Sequence, residues 1–258
     1  MGTHYESVHS ELLYADAFHV TAPEFAVGRE LWPRQPGVFI RAGHVYKEAA
    51  SNAVEGAKEV AEAENSDSAD AADSTKKAAD AGMPQRAPPC RELVAGQFGL
   101  VPPWVKSASD AKLRSTKLVN ARSETVTTSN NLRGAWLAGQ RCIVPMQAFM
   151  ENDCRSGKAV PTRIARVDGK PMGVAGLWEI WTGVGGEVIS SYTLLTVNAN
   201  SHALMSRYQP AGNEKRMLAI LNEGAYDAWL GARPEKAREF MRAYPANWLT
   251  ANPVEKSR

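Results

Sequence analysis

Three short stretches of this chain concentrate groups able to bind or transform a polar ligand. Asn120-Ala121-Arg122-Ser123-Glu124-Thr125 packs an amide, a guanidinium, two hydroxyls and a carboxylate into six residues. Such a set is common at a helix cap or turn. It is equally what holding a phosphate or a sugar requires, because a planar cation takes phosphate bidentately and an amide both donates and accepts. Phe98-Gly99-Leu100-Val101-Pro102-Pro103-Trp104 places an indole after two prolines on stiff, extended backbone, where it either caps a core or presents a face for base stacking. Arg141-Cys142-Ile143-Val144-Pro145 leads on to Ala148-Phe149-Met150-Glu151. A strand of buried character thus delivers one carboxylate, which is either a solvated end residue or a proton carrier.

Other chemistry finds less support. Cys90, Cys142 and Cys154 are an odd number without Cys-x-x-Cys spacing, so neither a disulfide framework nor a zinc site is indicated, and Cys142 lies inside an apolar strand. Glu214-Lys215-Arg216 gives way abruptly to Met217-Leu218-Ala219-Ile220-Leu221, which by itself marks a loop entering the core. No metal site and no cofactor is expected.

The elements that must position these groups read as short strands separated by turns. Gln97–Val101, Arg141–Pro145, Thr162–Arg166, Met172–Glu179 and Tyr192–Asn198 are expected strands, several rich in β-branched or aromatic residues. Val167-Asp168-Gly169-Lys170 carries a tight hairpin signal, and Gly183–Gly186 should turn another. Helices are expected at residues 6–14, around Asn131–Leu137, from Ser201, at Ala225–Leu230 and at Pro234–Ala243. A strand-rich centre with peripheral helices predicts an α+β domain built on a curved or barrel-like sheet.

The chain has 258 residues, 44% hydrophobic and 22% charged, enough to bury a substantial core as one main domain. Glu48–Pro89 interrupts it. Between residues 47 and 82 nine acidic residues face four lysines, with no aromatic side chain, so this stretch reads as a disordered insertion at about 48–90, with any helix near 49–63. Since the whole chain carries a net charge of +2, the remainder is basic, which suits a polyanionic partner. No apolar run has the roughly 18 residues a membrane span needs, and the N-terminus lacks a secretory pattern, so a cytoplasmic monomer away from membranes is expected.

Taken in order, the Gly-Leu-Val-Pro-Pro-Trp and Asn-Ala-Arg-Ser-Glu-Thr motifs, the Arg-Cys-Ile-Val-Pro strand with its Glu, Gly176-Leu177-Trp178-Glu179, Thr196-Val197-Asn198-Ala199 and Glu214-Lys215-Arg216-Met217 resemble the SOS-response-associated peptidase (SRAP) family. The resemblance covers about residues 1–5 and 91–230. It implies a compact, strand-rich domain with a basic groove for single-stranded DNA, including DNA with abasic sites. In such proteins Met1 is removed, and the exposed Cys at position 2 closes a thiazolidine on the ring-opened aldehyde of the lesion. The resemblance makes Asn120 the amide beside the N-terminal residue, Arg122 a phosphate contact, Glu151 the active-site carboxylate, Trp104 a stacking surface and Thr196 a lining group.

This sequence departs from that pattern twice. Residue 2 is Gly2, so no thiol is present there, and the expected histidine position holds Gln209, which cannot titrate. His202 is a candidate substitute, and His4 a candidate DNA contact. Two further readings stand beside DNA processing: a peptidase acting on proteins, for which none of the three cysteines sits in a matching motif, and a non-catalytic interaction module of mobile-element origin.

Overall fold

The computed structural model describes residues 4–43 and 90–254. Gly2, the acidic stretch Glu48–Pro89 and the helix expected near 49–63 lie outside the described residues. Contacts divide the chain into Met1–Arg41 with Arg91–Arg258 on one side and Ala42–Cys90 on the other. Apart from Ala42, every element named here belongs to the first unit.

Five strands, β3 (Pro36–Ala42), β4 (Arg91–Phe98), β6 (Arg141–Met146), β9 (Met172–Thr182) and β10 (Val188–Asn198), form the centre. They run in the order β10-β4-β3-β6-β9, and β9 pairs back onto β10, which closes a five-stranded barrel. Closure leaves these strands no free edge along the ring. Residues 172–179 of β9 are all buried, as a strand enclosed on both faces should be. The expected α+β, barrel-like architecture is what the chain adopts.

Beyond the ring, β10 outruns β9. Their pairing ends at Leu194 with Gly176. From there β5 (Asn120–Arg122) lies parallel to β10 at Leu194–Thr196, and β11 (Arg216–Leu218) antiparallel at Thr196–Asn198. Ala219 bridges the divergence: its N–H donates to Leu195 O and its carbonyl accepts from Ala175 N, both at 2.9 Å, and β12 (Ile220–Leu221) then joins β9.

A second sheet has the order β13-β8-β7-β1-β2, with β1 (Tyr5–Glu6), β2 (Glu30–Leu31), β7 (Ala148–Asp153), β8 (Val160–Arg166) and β13 (Leu249–Pro253). The chain crosses from barrel to sheet at Gln147, so the segment carrying Glu151 is itself a strand. Tyr5 of this sheet meets Tyr192 of the barrel through a 2.6 Å hydroxyl–hydroxyl bond inside the shared core. Arg141 is 2% exposed at the head of β6, its guanidinium over the rings of Trp136 and Trp229. Burial pushes its pKa down to about 10.

Several expected elements are displaced. The helix expected at 6–14 is α1 (Glu11–Phe18), because Glu6 is claimed by β1 and Ser7 is tied down by its hydroxyl bond to Gly28 O at 2.6 Å. The strand expected to reach Val101 stops at Phe98, where Gly99 takes φ +105. Asp168-Gly169 does turn, with Gly169 at φ +73, but it joins β8 in one sheet to β9 in the other, so it is a corner and not a hairpin. Gly183–Gly186 does close the β9–β10 hairpin. The segment from Ser201 yields one 3-10 turn, Met205–Arg207, and the long C-terminal helix shortens to Pro234–Ala237 plus a further 3-10 turn. Helix α2 (Ala108–Lys117), which the sequence pattern did not suggest, is started by Ser107, whose hydroxyl accepts from Asp110 N at 3.1 Å. The short helices α3 (Arg133–Leu137) and α4 (Tyr226–Leu230) stand where expected.

Barrel closure depends on Gly176, where an added Cβ would sit 2.6 Å from Thr193 O and 2.9 Å from Cys142 Sγ. Gly176→Ala should therefore lower unfolding stability by about 1–3 kcal/mol through overpacking. Urea unfolding measures it, and an unchanged midpoint would show that the ring relaxes freely at this point.

Candidate functional site

Where β5 and β11 flank the end of β10 lies a cleft of ≈ 380 Å³, lined by Asn120, Arg122, Thr196, Gln209, Pro210, Asn213, Glu214 and Arg216. Strand periodicity explains the contribution of β5: Asn120 and Arg122, two residues apart, share a face, while Ala121 between them is buried. Thr196, opposite Arg122 in the β5–β10 register, donates its hydroxyl to Ala121 O at 3.1 Å.

At the floor of the cleft lies Arg216, whose side chain is 7% exposed. Its Nη2 donates to Thr196 O at 2.7 Å and Thr196 Oγ1 at 3.0 Å, and its two terminal nitrogens grip Glu124 at 3.1 and 2.8 Å. A bidentate guanidinium–carboxylate pair fixes direction as well as charge. Nη1 also reaches Glu214 Oε1 at 2.9 Å. Arg122 is 59% exposed and pairs with the other oxygen of Glu214 at 2.9 Å.

Gln209 occupies the left-handed region, φ +67, uncommon for a residue with a Cβ. Its side chain imitates a strand neighbour: Nε2 donates to Arg216 O at 2.8 Å and Oε1 accepts from Arg216 N at 3.3 Å. Nε2 also lies 3.5 Å from Glu151 Oε1, a long contact. Glu151 is buried in β7, beside the Asp153–Tyr208 bridge and the 2.9 Å bond from Gln209 N to Asn152 O.

Asn120, Arg122, Thr196 and Gln209 are thus brought together, with Glu151 directly behind Gln209. His4 lines a smaller neighbouring pocket with Tyr5, Phe149, Met150 and Glu151, and its carbonyl accepts from Met150 N at 3.3 Å. The imidazole stacks on Trp32 at 3.9 Å, and burial pushes its pKa down against the pull of Glu30 and Glu6. Trp104 lines neither pocket. It is 46% exposed on the loop before α2, with the Arg114 guanidinium 4.3 Å above its ring. His202 is not a substitute acid or base: Nδ1 accepts from Leu204 N and Met205 N, and Nε2 lies 2.7 Å from Tyr244 O, so both ring nitrogens hold backbone. Cys142 is buried in the core and its thiol pKa is raised by that burial, which removes it as a nucleophile. Sequence reading missed Glu124, Glu214 and Arg216. Glu124 stood in the dense Asn120–Thr125 motif without a role, and the signal for the other two was a charged triplet set against an apolar run.

A profile of the SOS response associated peptidase (SRAP) family matches residues 38–257. The chain belongs to that family. Among its relatives, the abasic site processing protein HMCES of Gallus gallus is 29% identical over 185 residues, 64% of this chain and 53% of that protein. The abasic site processing protein YoqW of Bacillus subtilis is 30% identical over 162 residues, 61% of this chain and 67% of that protein. This SRAP chain therefore spans about half the length of the Gallus relative. A crystal structure of a Bordetella bronchiseptica protein is 35% identical, with a TM-score of 0.76 over 98% of this chain and 100% of that one. One from Bacteroides thetaiotaomicron, 22% identical with a TM-score of 0.58 over 63% of this chain and 69% of that one, shares the fold. Among the described residues of this SRAP protein, no helix is long and apolar enough to cross a membrane.

The Arg216 cluster carries a pH dependence. Burial opposes ionisation of Glu124, yet hydrogen bonding from Arg216 prevails and its carboxyl lies below the ordinary 4.5. A lowered folded pKa stabilises above the unfolded value and is lost as pH falls through the folded one. Glu124→Gln should accordingly unfold at a lower temperature than the parent at neutral pH, and the two melting temperatures should converge as pH falls through the lowered carboxyl pKa. A gap that persists unchanged at low pH would exclude this ionisation as the cause.

Proposed function

We propose that this chain is an abasic-site processing protein of the DNA-damage (SOS) response that binds single-stranded DNA across the cleft between β5, β10 and β11. The observation that carries the reading is the meeting of Asn120, Arg122, Thr196 and Gln209 in one cleft, with the Glu151 carboxylate behind it. Arg122 at the exposed side suits a phosphodiester, and the polar groups further in suit the sugar and its aldehyde. The names of the HMCES and YoqW relatives point the same way.

Residue 2 lies two positions before His4, which packs against the β7 segment bearing Glu151. Once Met1 is hydrolysed away, Gly2 offers an α-amine with an ordinary pKa of about 8. Its nitrogen lone pair adds to the C1 aldehyde of the ring-opened deoxyribose, and the carbinolamine loses water to an imine. Glu151 takes the ammonium proton and returns one to the departing hydroxyl. Without a thiol at residue 2 no thiazolidine closes, so the linkage reverses by adding water back. Gln209, an amide locked to the Arg216 backbone, orients Glu151 without exchanging protons.

Incubation with an abasic oligonucleotide should give a covalent product only when borohydride reduces the imine, with the mass of the Met1-less chain plus the oligonucleotide less one oxygen, since water leaves and two hydrogens are added. No trapped product would leave recognition without covalent chemistry. Separately, Arg122→Ala should weaken oligonucleotide binding and flatten its salt dependence by roughly one unit of slope. An unchanged slope would count against the cleft as the path of the strand.

A further inference from the structure

The loop Pro210–Lys215 leads from Gln209 to β11 and carries Glu214 into the cleft. The loop is anchored at its base, because Lys215 Nζ donates to Gln209 O at 2.7 Å and Pro210 O at 2.8 Å. Glu214 then makes two kinds of bond. Oε1 accepts from Asn198 Nδ2 and from Arg216 Nη1, both at 2.9 Å, and Oε2 pairs with Arg122 at 2.9 Å. The Asn198 amide and the Arg216 guanidinium hold its carboxyl below the usual range, so it is anionic at neutral pH.

The two arginines differ in what they can give up. Arg216 is buried and gripped by Glu124 and Thr196, so it stays in place. Arg122 is mostly exposed, and an exposed ion pair is weak enough for another anion to take the guanidinium. A carboxylate presents two oxygens sharing one negative charge, as the non-bridging oxygens of a phosphodiester do.

We propose that Glu214 is a specificity-determining residue that stands in for phosphate on Arg122 in the ligand-free protein. A lone small anion must displace a tethered carboxylate and then remain beside it. A nucleic-acid strand brings neighbouring phosphates and bases whose further contacts offset that repulsion. The inference rests on the reading of the cleft as a DNA path, and it adds a counter-charge that selects polyanions over single phosphates.

Glu214→Gln tests it, since the amide oxygen still accepts from Asn198 and Arg216 and the loop stays closed; thermal unfolding checks this. Fluorescence anisotropy with a labelled oligothymidylate at fixed salt should show about two- to fivefold tighter binding, the range expected of an exposed ion pair. Inorganic phosphate should compete at lower concentration in the variant than in the parent. In an Arg122→Ala background the same substitution should give no gain, because the masked cation is gone. Unchanged or weaker binding by Glu214→Gln, or an equal gain in both backgrounds, would overturn the proposal. If Arg122→Ala alone left binding intact, the DNA path itself would be wrong and this proposal would fall with it.

Discussion

The cleft exists because one guanidinium is buried where a barrel strand outruns its neighbour. Arg216 ties β10 at Thr196, the turn after β5 at Glu124, and the loop at Glu214 into one cluster. Taking such a cation out of water is costly, and only close pairing offsets the cost. Here the bidentate grip of Glu124 and the Thr196 carbonyl and hydroxyl supply that pairing. If the cluster opened, β5 and β11 would lose their side-chain connection across the end of β10, and Asn120, Arg122 and Gln209 would no longer face one space.

Fixing Arg216 leaves Arg122 available. The two cations sit on strands that flank β10 and share Glu214, yet their exposures of 7% and 59% give them different work. A buried, multiply bonded arginine sets geometry, and an exposed one exchanges partners with solvent ions and ligands. Gln209 shows a similar division. Its amide bonds the Arg216 backbone in both directions, as a strand neighbour would, and only a long contact reaches Glu151. Polar contact with the carboxylate is kept by an amide that does not titrate.

Legibility in the sequence followed sequence distance. The barrel strands β6, β9 and β10 were readable from their apolar, β-branched runs, and Asn120 with Arg122 from their density in a short motif. Helix α2 was not, because its pattern is polar and its start depends on one serine cap and on the packing of Ala111. The corner at Asp168-Gly169 was misread for a related reason: a turn signal gives local backbone shape, while the partner of the next strand is decided by distant pairing. Arg216 and Glu124 lie 92 residues apart, and no local rule joins them. The roles of His4 and His202 needed coordinates too, since a ring stacked on Trp32 and a ring holding two backbone segments look alike in sequence.

On the proposed reading, recognition and bond-making fall to different parts of the chain. The proposed recognition surface belongs to strand ends around β10, held by backbone pairing and by the Arg216 cluster. A glycine at position 2 has no sulfur to offer, and Gln209 has a hydrogen-bonding amide but no titrating ring. Gln209 stands outside the barrel ring, whose closure rests on β9 pairing with β10 and on the space left at Gly176. A fold arranged this way keeps its cleft when the nucleophile changes, because the groups that shape the cleft draw their energy from burial and pairing elsewhere. On the proposed reading, the chemistry at residue 2 varies between a permanent and a reversible linkage while the surface that presents the strand to it stays the same.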